Sequence, residues 1–457
     1  MRKTKKFFSY LLVSIGFSIF SMPVFATDIM DIYNQALQSD PVYQAARSTR
    51  LSVRETVPQN VAGLLPTVAG TADQTRNVIQ TLRAPPSASA SKGTTVFNSS
   101  DYMLTLTQPL INFGNWMLVR QADATAKQAD ATFGAAGQNL IFRVAQAYFN
   151  VLLAQDVLRA TEAQKAANAR QLDQVQQRFK VGLDAVTSVY NAQAQYDATV
   201  AQEITDQNAL RNSQEALRQL TGLYYTTIEN FKIEIPLITP QPANIEQWVS
   251  AAEKQNLTLL ASRFATEAAR ANVKVNFAGH LPTLSAVGTY ERSNGQSLGT
   301  VNTNNKTAGL QLTLPIFQGG LIASQTRQAE YDYATASANR ENIYRQTIVK
   351  TRQNYNDVLA GISKIKADRQ AIVSAQSSLD STEESFKVGT RTIVDVLLSV
   401  QTLYLAQRVY ATDEYAYLLS TLALKQSAGL LSVNDLNAIN TWIHAVPEKN
   451  TAKKLRG

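Results

Sequence analysis

Phe179-Lys180-Val181-Gly182 returns as Phe386-Lys387-Val388-Gly389, 207 residues later. Two more blocks keep that register, one on either side. Upstream, Tyr148-Phe149-Asn150-Val151-Leu152 meets Tyr355-Asn356-Asp357-Val358-Leu359 at 207, and downstream Leu217 to Gly222 meets Leu424 to Gly429 at 207. A period this long marks two tandem copies of a whole structural unit and not a solenoid of short repeats. Farther out, Pro109-Leu110 meets Pro315-Ile316 at 206, and Leu65-Pro66-Thr67 meets Leu281-Pro282-Thr283 at 216. About ten extra residues therefore lie between Pro66 and Pro109 of copy one. That interval holds Ala84-Pro85-Pro86-Ser87-Ala88-Ser89-Ala90-Ser91, a composition suited to an exposed loop.

The repeated turn ends a long helix. No proline stands between Pro109 and Pro236, or between Pro315 and Pro447, so helix is permitted over most of both intervals. Leu140, Val144, Ala147, Val151, Ala154 and Leu158 fall at alternating steps of four and three. In copy two Val358, Ile365, Ile372, Ala375, Leu379 and Phe386 do likewise, with Gly361 and Asp368 as interruptions. This is a coiled-coil period rich in Ala and Gln. About 65 residues of helix reach roughly 100 Å, which suits a span across a compartment better than a globular core. Gly182 and Gly389 sit where a helix ends in a left-handed residue. A second helix then returns to Gly222 in copy one and to about Gly429 in copy two. Val181, Gly182, Leu183, Val388, Gly389 and Thr390 form the exposed turns. Asp184 reads as the N-cap of the returning helix. Asp395, three after Thr392, reads as the acid of a capping box.

The other end of each copy carries strands. A helix is expected over about Asp28 to Gly63, and again over about Asn244 to Gly279, each ended by Gly and Leu-Pro. Two strands follow in each, at about 66–79 and 100–112, then 282–294 and 304–317. Tyr102-Met103-Leu104-Thr105-Leu106-Thr107 and Leu310-Gln311-Leu312-Thr313-Leu314 alternate at period two, near the length of a tilted transmembrane strand. The connecting stretches, Gln80 to Ser99 and Ser293 to Lys306, are polar and suit the outside of a barrel. Phe113, Trp116 and Phe317 flank the barrel exits, where they suit either an interfacial aromatic girdle or core packing. Four strands cannot close a barrel, and open edges in lipid leave orphan backbone groups, so the chain must oligomerise. The strands leave the number open between a narrow dimeric barrel of eight and a trimeric barrel of twelve.

The ends place the chain in the cell. Arg2, Lys3, Lys5 and Lys6 precede an apolar run from Phe7 to Phe20, and Val24-Phe25-Ala26 offers a cleavage site, so residues 1–26 read as a secretory signal peptide. Its removal takes four of 43 basic residues and none of 35 acidic ones. The charge left, about +4, is too mild to argue for nucleic acid. With no cysteine, disulfides, thiol catalysis and lipid attachment at a lipobox are all excluded. The two histidines, His280 and His444, are too few for an all-His metal site, and His280 at a helix end suits a capping or solvated role. No catalytic triad order, metal cluster or phosphate loop appears, so neither an enzyme nor a cofactor is expected. Copy one is taken as 27–235 and copy two as 236–440. A tail over 441–457, with Lys453, Lys454 and Arg456, is expected to be disordered.

Taken together, the Leu-Pro strand entries, Pro109-Leu110-Ile111, Pro315-Ile316-Phe317-Gln318-Gly319-Gly320 and the paired Val-Gly turns resemble the TolC family of outer-membrane channels. The likeness runs from about residue 28 to 440. It is densest from Val388 to Leu397 and from Leu431 to Asn440. The resemblance implies a homotrimer with a twelve-stranded transmembrane β-barrel, continued by a long α-helical coiled-coil barrel across the periplasm. It also implies docking to a periplasmic adaptor (membrane fusion) protein and an inner-membrane transporter, with passive passage of drugs or secreted proteins. It implies a gate at the helix tips. Arg391 and Asp395 match the family's arginine and first acidic position there, whereas Leu398 stands at the second acidic position and Phe386 replaces a tyrosine. Copy one has Thr187-Ser188 in place of a Thr-Asp pair, with Asp184 as a nearby extra acid. The alternative class is a soluble periplasmic coiled-coil adaptor or structural protein, which would share the leader and the hairpins but lack the paired barrel strands.

Overall fold

The computed structural model describes residues 27–82, 93–231, 234–295 and 302–444. The expected leader, the Ala84-to-Ser91 loop and the residues beyond 444 lie outside these. Where one helix is expected from Asp28 to Gly63, there are three: α1 (Ile29–Ser39), α2 (Pro41–Arg54) and α3 (Thr56–Ala62). Asp40 makes the first break. Its backbone is extended, its carboxylate accepts the Tyr43 N–H at 2.9 Å, and Pro41 follows at the first helical position, with no N–H to continue α1. Strands β1 (Thr67–Thr81) and β2 (Gly93–Ile111) come next, then α4 (Phe113–Lys180) and α5 (Val186–Thr221).

Copy two repeats the order and the break. The helix expected from Asn244 to Gly279 divides into α6 (Ile245–Gln255) and α7 (Leu257–Phe277) at Asn256, whose side chain accepts the Leu259 N–H at 2.9 Å. A single 3₁₀ turn, Ala278–His280, finishes α7, with His280 edge-on to Phe277 at 5.8 Å. Strands β3 (Thr283–Gly295) and β4 (Thr303–Thr313) lead to α8 (Leu321–Lys387), α9 (Ile393–Ser427) and α10 (Val433–His444). Helix thus continues to His444, past the expected start of the tail at 441.

The strands run deeper into their polar connections than composition suggests. β1 ends at Thr81 and β2 begins at Gly93, whereas β4 stops at Thr313, short of the expected 317. Backbone pairing is indifferent to side-chain polarity, and one sheet face tolerates Ser, Thr and Asn throughout. The described strands form one antiparallel sheet in chain order, β1-β2-β3-β4, which leaves β1 and β4 as its edges. Opposite Ser285 and Leu284, the register slips between Pro109 and Ile111, where proline has no N–H to give.

The helices α4 and α8 hold 68 and 67 residues, close to 100 Å each. Side by side they lie in the order α5-α4-α9-α8, with α7 wedged between α4 and α8 nearer the sheet. Midway along, a large apolar core gathers Ile29, Tyr148, Phe149, Leu217, Ile365 and Leu422 from both copies. Gly361 lets α9 come close, since an added Cβ would meet Tyr417 Cβ at 3.3 Å. Toward the turns the seam becomes polar. The buried Asn168 donates to Thr199 at 2.7 Å, Gln171 to Glu383 at 2.8 Å, and Arg408 to Gln164 at 2.8 Å. Each bond gives a partner to one polar group that burial would otherwise penalise, while Asn168 Oδ1, Gln171 Oε1 and Arg408 Nε stay without one in the single chain.

Candidate functional site

Both helical hairpins turn at the same end of the molecule by the same device. After α4 the Gly182 N–H donates to the Phe179 carbonyl at 3.0 Å and the Leu183 N–H to Arg178 at 2.9 Å. After α8 the Gly389 N–H donates to Phe386 at 3.0 Å and the Thr390 N–H to Ser385 at 2.9 Å. This paired bonding is a Schellman cap, and it requires the φ of +78° and +81° that the two glycines adopt. The turns project Val181, Leu183 and Val388 into solvent, Val388 being 75% exposed. Apolar side chains left uncovered at a tip suit a partner surface.

The chain then enters α5 and α9 differently. Thr392 caps α9 in a full capping box: its N–H and its hydroxyl both donate to Asp395 Oδ2, at 2.9 and 2.8 Å, and the Asp395 N–H returns to the hydroxyl. These Thr392 bonds, with the neighbouring Arg391, hold the Asp395 carboxyl below the usual carboxylate range. Arg391 approaches Asp395 at 4.0 Å, the two being 62% and 38% exposed. Asp184 does not cap α5. The N-cap is Ala185, with no side-chain bond, and Asp184 instead accepts from Arg178 Nε at 2.6 Å. The turn brings Asp184 back beneath α4, and the guanidinium takes the carboxylate before a backbone amide can. Thr187 is exposed and Ser188 half-buried on the first turn of α5.

Arg178 is the residue of this cluster that the sequence reading missed. Its guanidinium lies 4.9 Å from the centroid of the Phe386 ring while it binds Asp184. One side chain of copy one thereby joins its own turn to the end of α8. Phe386 itself is buried (4% exposed) among Val175, Ala192, Ile393, Val396 and Val400, a small core shared by both hairpins. Leu398, by contrast, is 61% exposed on α9, on the face that carries Asp395. The set expected at one gate therefore divides. Arg391, just before the cap of α9, and Asp395 and Leu398 on its first turns line an open face, whereas Phe386, Arg178 and Asp184 clamp the hairpins together behind it.

At the opposite end, Phe113 opens α4 and is half-buried, Trp116 is exposed one turn later, and Phe317 is exposed between β4 and α8. The sheet above them has two unlike faces. The register sets Val68 opposite Leu106, Leu104 opposite Tyr290, and Leu284 opposite Leu312 on one face. On the other it sets Thr67 opposite Thr107, Thr105 opposite Thr289, and Thr289 opposite Thr307. An apolar outer face and a polar inner face are what a water-filled transmembrane barrel needs. Among the described residues no helix is long and apolar enough to cross a membrane.

The model of the family described as outer membrane efflux protein matches residues 32–223 and 248–430, one stretch in each copy. The chain is 37% identical to the outer membrane protein TolC of Vibrio cholerae over 441 residues, covering 95% of this chain and 98% of that one. It is 38% identical to the outer membrane protein TolC of Escherichia coli over 448 residues, covering 94% and 88%. Among solved structures, the CmeC outer membrane channel of Campylobacter jejuni superposes with a TM-score of 0.76 at 18% identity, covering 92% of this chain and 89% of that one.

Proposed function

The chain belongs to the outer membrane efflux protein family, and from that premise we propose that it works as a homotrimeric tunnel with its gate and its docking surface at the helix tips. It is an outer-membrane channel of the TolC kind, serving efflux or type I secretion, with its helical portion in the periplasm, and it is not an enzyme. The paired strands and the family match set aside the soluble adaptor reading.

The observation that carries the closed assembly is the four-stranded sheet with one apolar face and two open edges, and the family match favours three copies over two. Three copies would bring twelve strands into one closed barrel and pair every edge. Below the barrel, three sets of α5-α4-α9-α8 would continue the wall. In this reading residues 1–26 are removed as a signal peptide, and the halves divide near residue 235. Phe113, Trp116 and Phe317 sit at the periplasmic boundary of the outer membrane as an aromatic girdle. Val181, Gly182, Leu183, Val388, Gly389 and Thr390 meet a periplasmic adaptor that brings an inner-membrane transporter. Arg391, Asp395 and Leu398 narrow the periplasmic mouth.

Detergent-extracted protein should run as a species of about 140 kDa, three chains of slightly under the 50.1 kDa full length. Its circular dichroism should combine strand with dominant helix. A native-like monomer, stable in detergent, would remove the need for closure and overturn the trimeric tunnel.

A further inference from the structure

The strand charges are sorted by face. Away from the slip at Pro109 and Ile111 the register keeps even-numbered residues opposite even-numbered ones, so Tyr102 faces Arg292 and Tyr290 faces Lys306 on neighbouring strands. Among the described strand residues the acids are Asp73, Asp101 and Glu291, all on the threonine-rich face. The cations are Arg76, Arg292 and Lys306, all on the face that carries Leu104, Leu106, Leu310 and Leu312. Inner acids in a water-filled lumen are solvated. Outer cations are not, since a charge on the lipid face is costly at the membrane midplane and tolerated only toward an interface.

Two of the three outer cations, on the adjacent strands β3 and β4, stand with tyrosines toward one interface. Arg292 is three residues from the end of β3, and Lys306 three from the start of β4, on the side away from the helices. That side is the outer leaflet. Lys306 Nζ lies 5.6 Å from the Tyr290 ring centroid, and Arg292 pairs in register with Tyr102. No carboxylate of the described strands shares the face. Two cations with tyrosines beside them, on the face that carries Leu104 and Leu310 nearer the helices, match a ligand with phosphate at its head and hydrocarbon beneath.

We propose that Arg292 and Lys306, with Tyr102 and Tyr290, bind the phosphate groups of an anionic lipid of the outer leaflet, whose acyl chains lie on Leu104 and Leu310. This rests on the reading of the sheet as part of an outer-membrane barrel. A free phosphate has nothing to place on the leucines, so the occupant is a lipid.

Native mass spectrometry of the purified oligomer in dodecyl maltoside, titrated with bis-phosphorylated lipid A and with the same lipid lacking its phosphates, reads the binding. The phosphorylated lipid should be retained preferentially. Arg292→Gln and Lys306→Gln should each weaken it about tenfold. The Arg292→Lys, Lys306→Arg double variant should keep it, and Asp73→Asn on the inner face should change nothing. Equal retention of the dephosphorylated lipid, or undiminished binding by the double glutamine variant, would overturn the proposal. Because the chain has no cysteine, a nitroxide at Leu104→Cys reports separately whether the face meets lipid. Inaccessibility to dissolved oxygen there would overturn the barrel orientation itself. Access to oxygen without phosphate preference would overturn the lipid site alone.

Discussion

Asp395 carries two roles on one side chain, and a substitution can separate them. Its carboxylate closes the Thr392 capping box, and it adds negative charge to an open face of α9. Three copies brought near a common axis would repel one another, and Arg391 at 4.0 Å is placed to offset that repulsion. Asp395→Asn keeps an acceptor for the Thr392 N–H but removes the charge. In planar bilayers it should weaken cation selectivity while leaving the helix content unchanged, and unaltered selectivity would return Asp395 to capping alone. Arg391→Ser should raise conductance by unbalancing the acids. The pH dependence has a definite sign. Asp395 has its pKa held below the ordinary 3.8 by Thr392 and Arg391, so its charge and its contribution to the cap are complete above about pH 5. Both are lost only as pH falls through that lowered value. Reversal potentials measured from pH 5 to 8 should therefore show no titration from Asp395 so long as Arg391 offsets the repulsion among the three copies, and a midpoint near neutrality that survives Asp395→Asn would place the selective group elsewhere.

Among the elements, the turns were the most legible in sequence, because Gly182 and Gly389 are demanded by a backbone shape that few other residues adopt. Gly389→Ala should destabilise the tip by about 1 kcal/mol, seen as a lower midpoint in denaturant. Docking needs a gentler probe. Val388 has a φ of −86° and is exposed, so Val388→Glu adds charge without backbone strain. Val181→Glu does the same in copy one, at a φ of −99°. Both should abolish adaptor-dependent drug resistance while the oligomer forms normally, and unchanged resistance in both would move the docking surface off the tips. Asp40 and Arg178 were not legible. Asp40-Pro41 is compatible with either a kinked helix or a capped restart, and only the carboxylate position decides, since Asp40 also accepts from Arg143 Nη2 at 2.6 Å. The Arg178 contacts join residues 6 and 208 positions away in sequence, beyond the reach of any local period. Arg178→Ala should cost about 1–2 kcal/mol through the lost ion pair and ring contact, measured by denaturant unfolding of the oligomer.

At the scale of the whole molecule, the sheet and the helical layer present the same problem in the same direction. The sheet runs β1-β2-β3-β4 and the helices run α5-α4-α9-α8, so copy one supplies one edge of each layer and copy two the other. An edge from copy one must meet an edge from copy two of a neighbour, which makes the contact head-to-tail and closes only as a ring. The helical edges carry the apolar groups such a contact would cover, Tyr190 and Ile204 on α5 and Val373 on α8, all more than half exposed in the single chain. Ile204 lies 18 residues beyond the start of α5 and Val373 lies 14 before the end of α8. Measured from the tips these are heights of about 27 and 21 Å, close enough for a short bismaleimide to bridge. With no native cysteine to compete, Ile204→Cys and Val373→Cys in one chain should therefore link between protomers. On denaturing gels the linked species should form a ladder that stops at three chains. Either cysteine alone should give no ladder, because like edges do not meet in a head-to-tail ring. A ladder ending at two would mean an eight-stranded barrel, and one that ran on without limit would mean an open filament. A strong dimer from the Ile204→Cys variant alone would show like edges in contact, and the shared direction of sheet and helices would then not set the assembly.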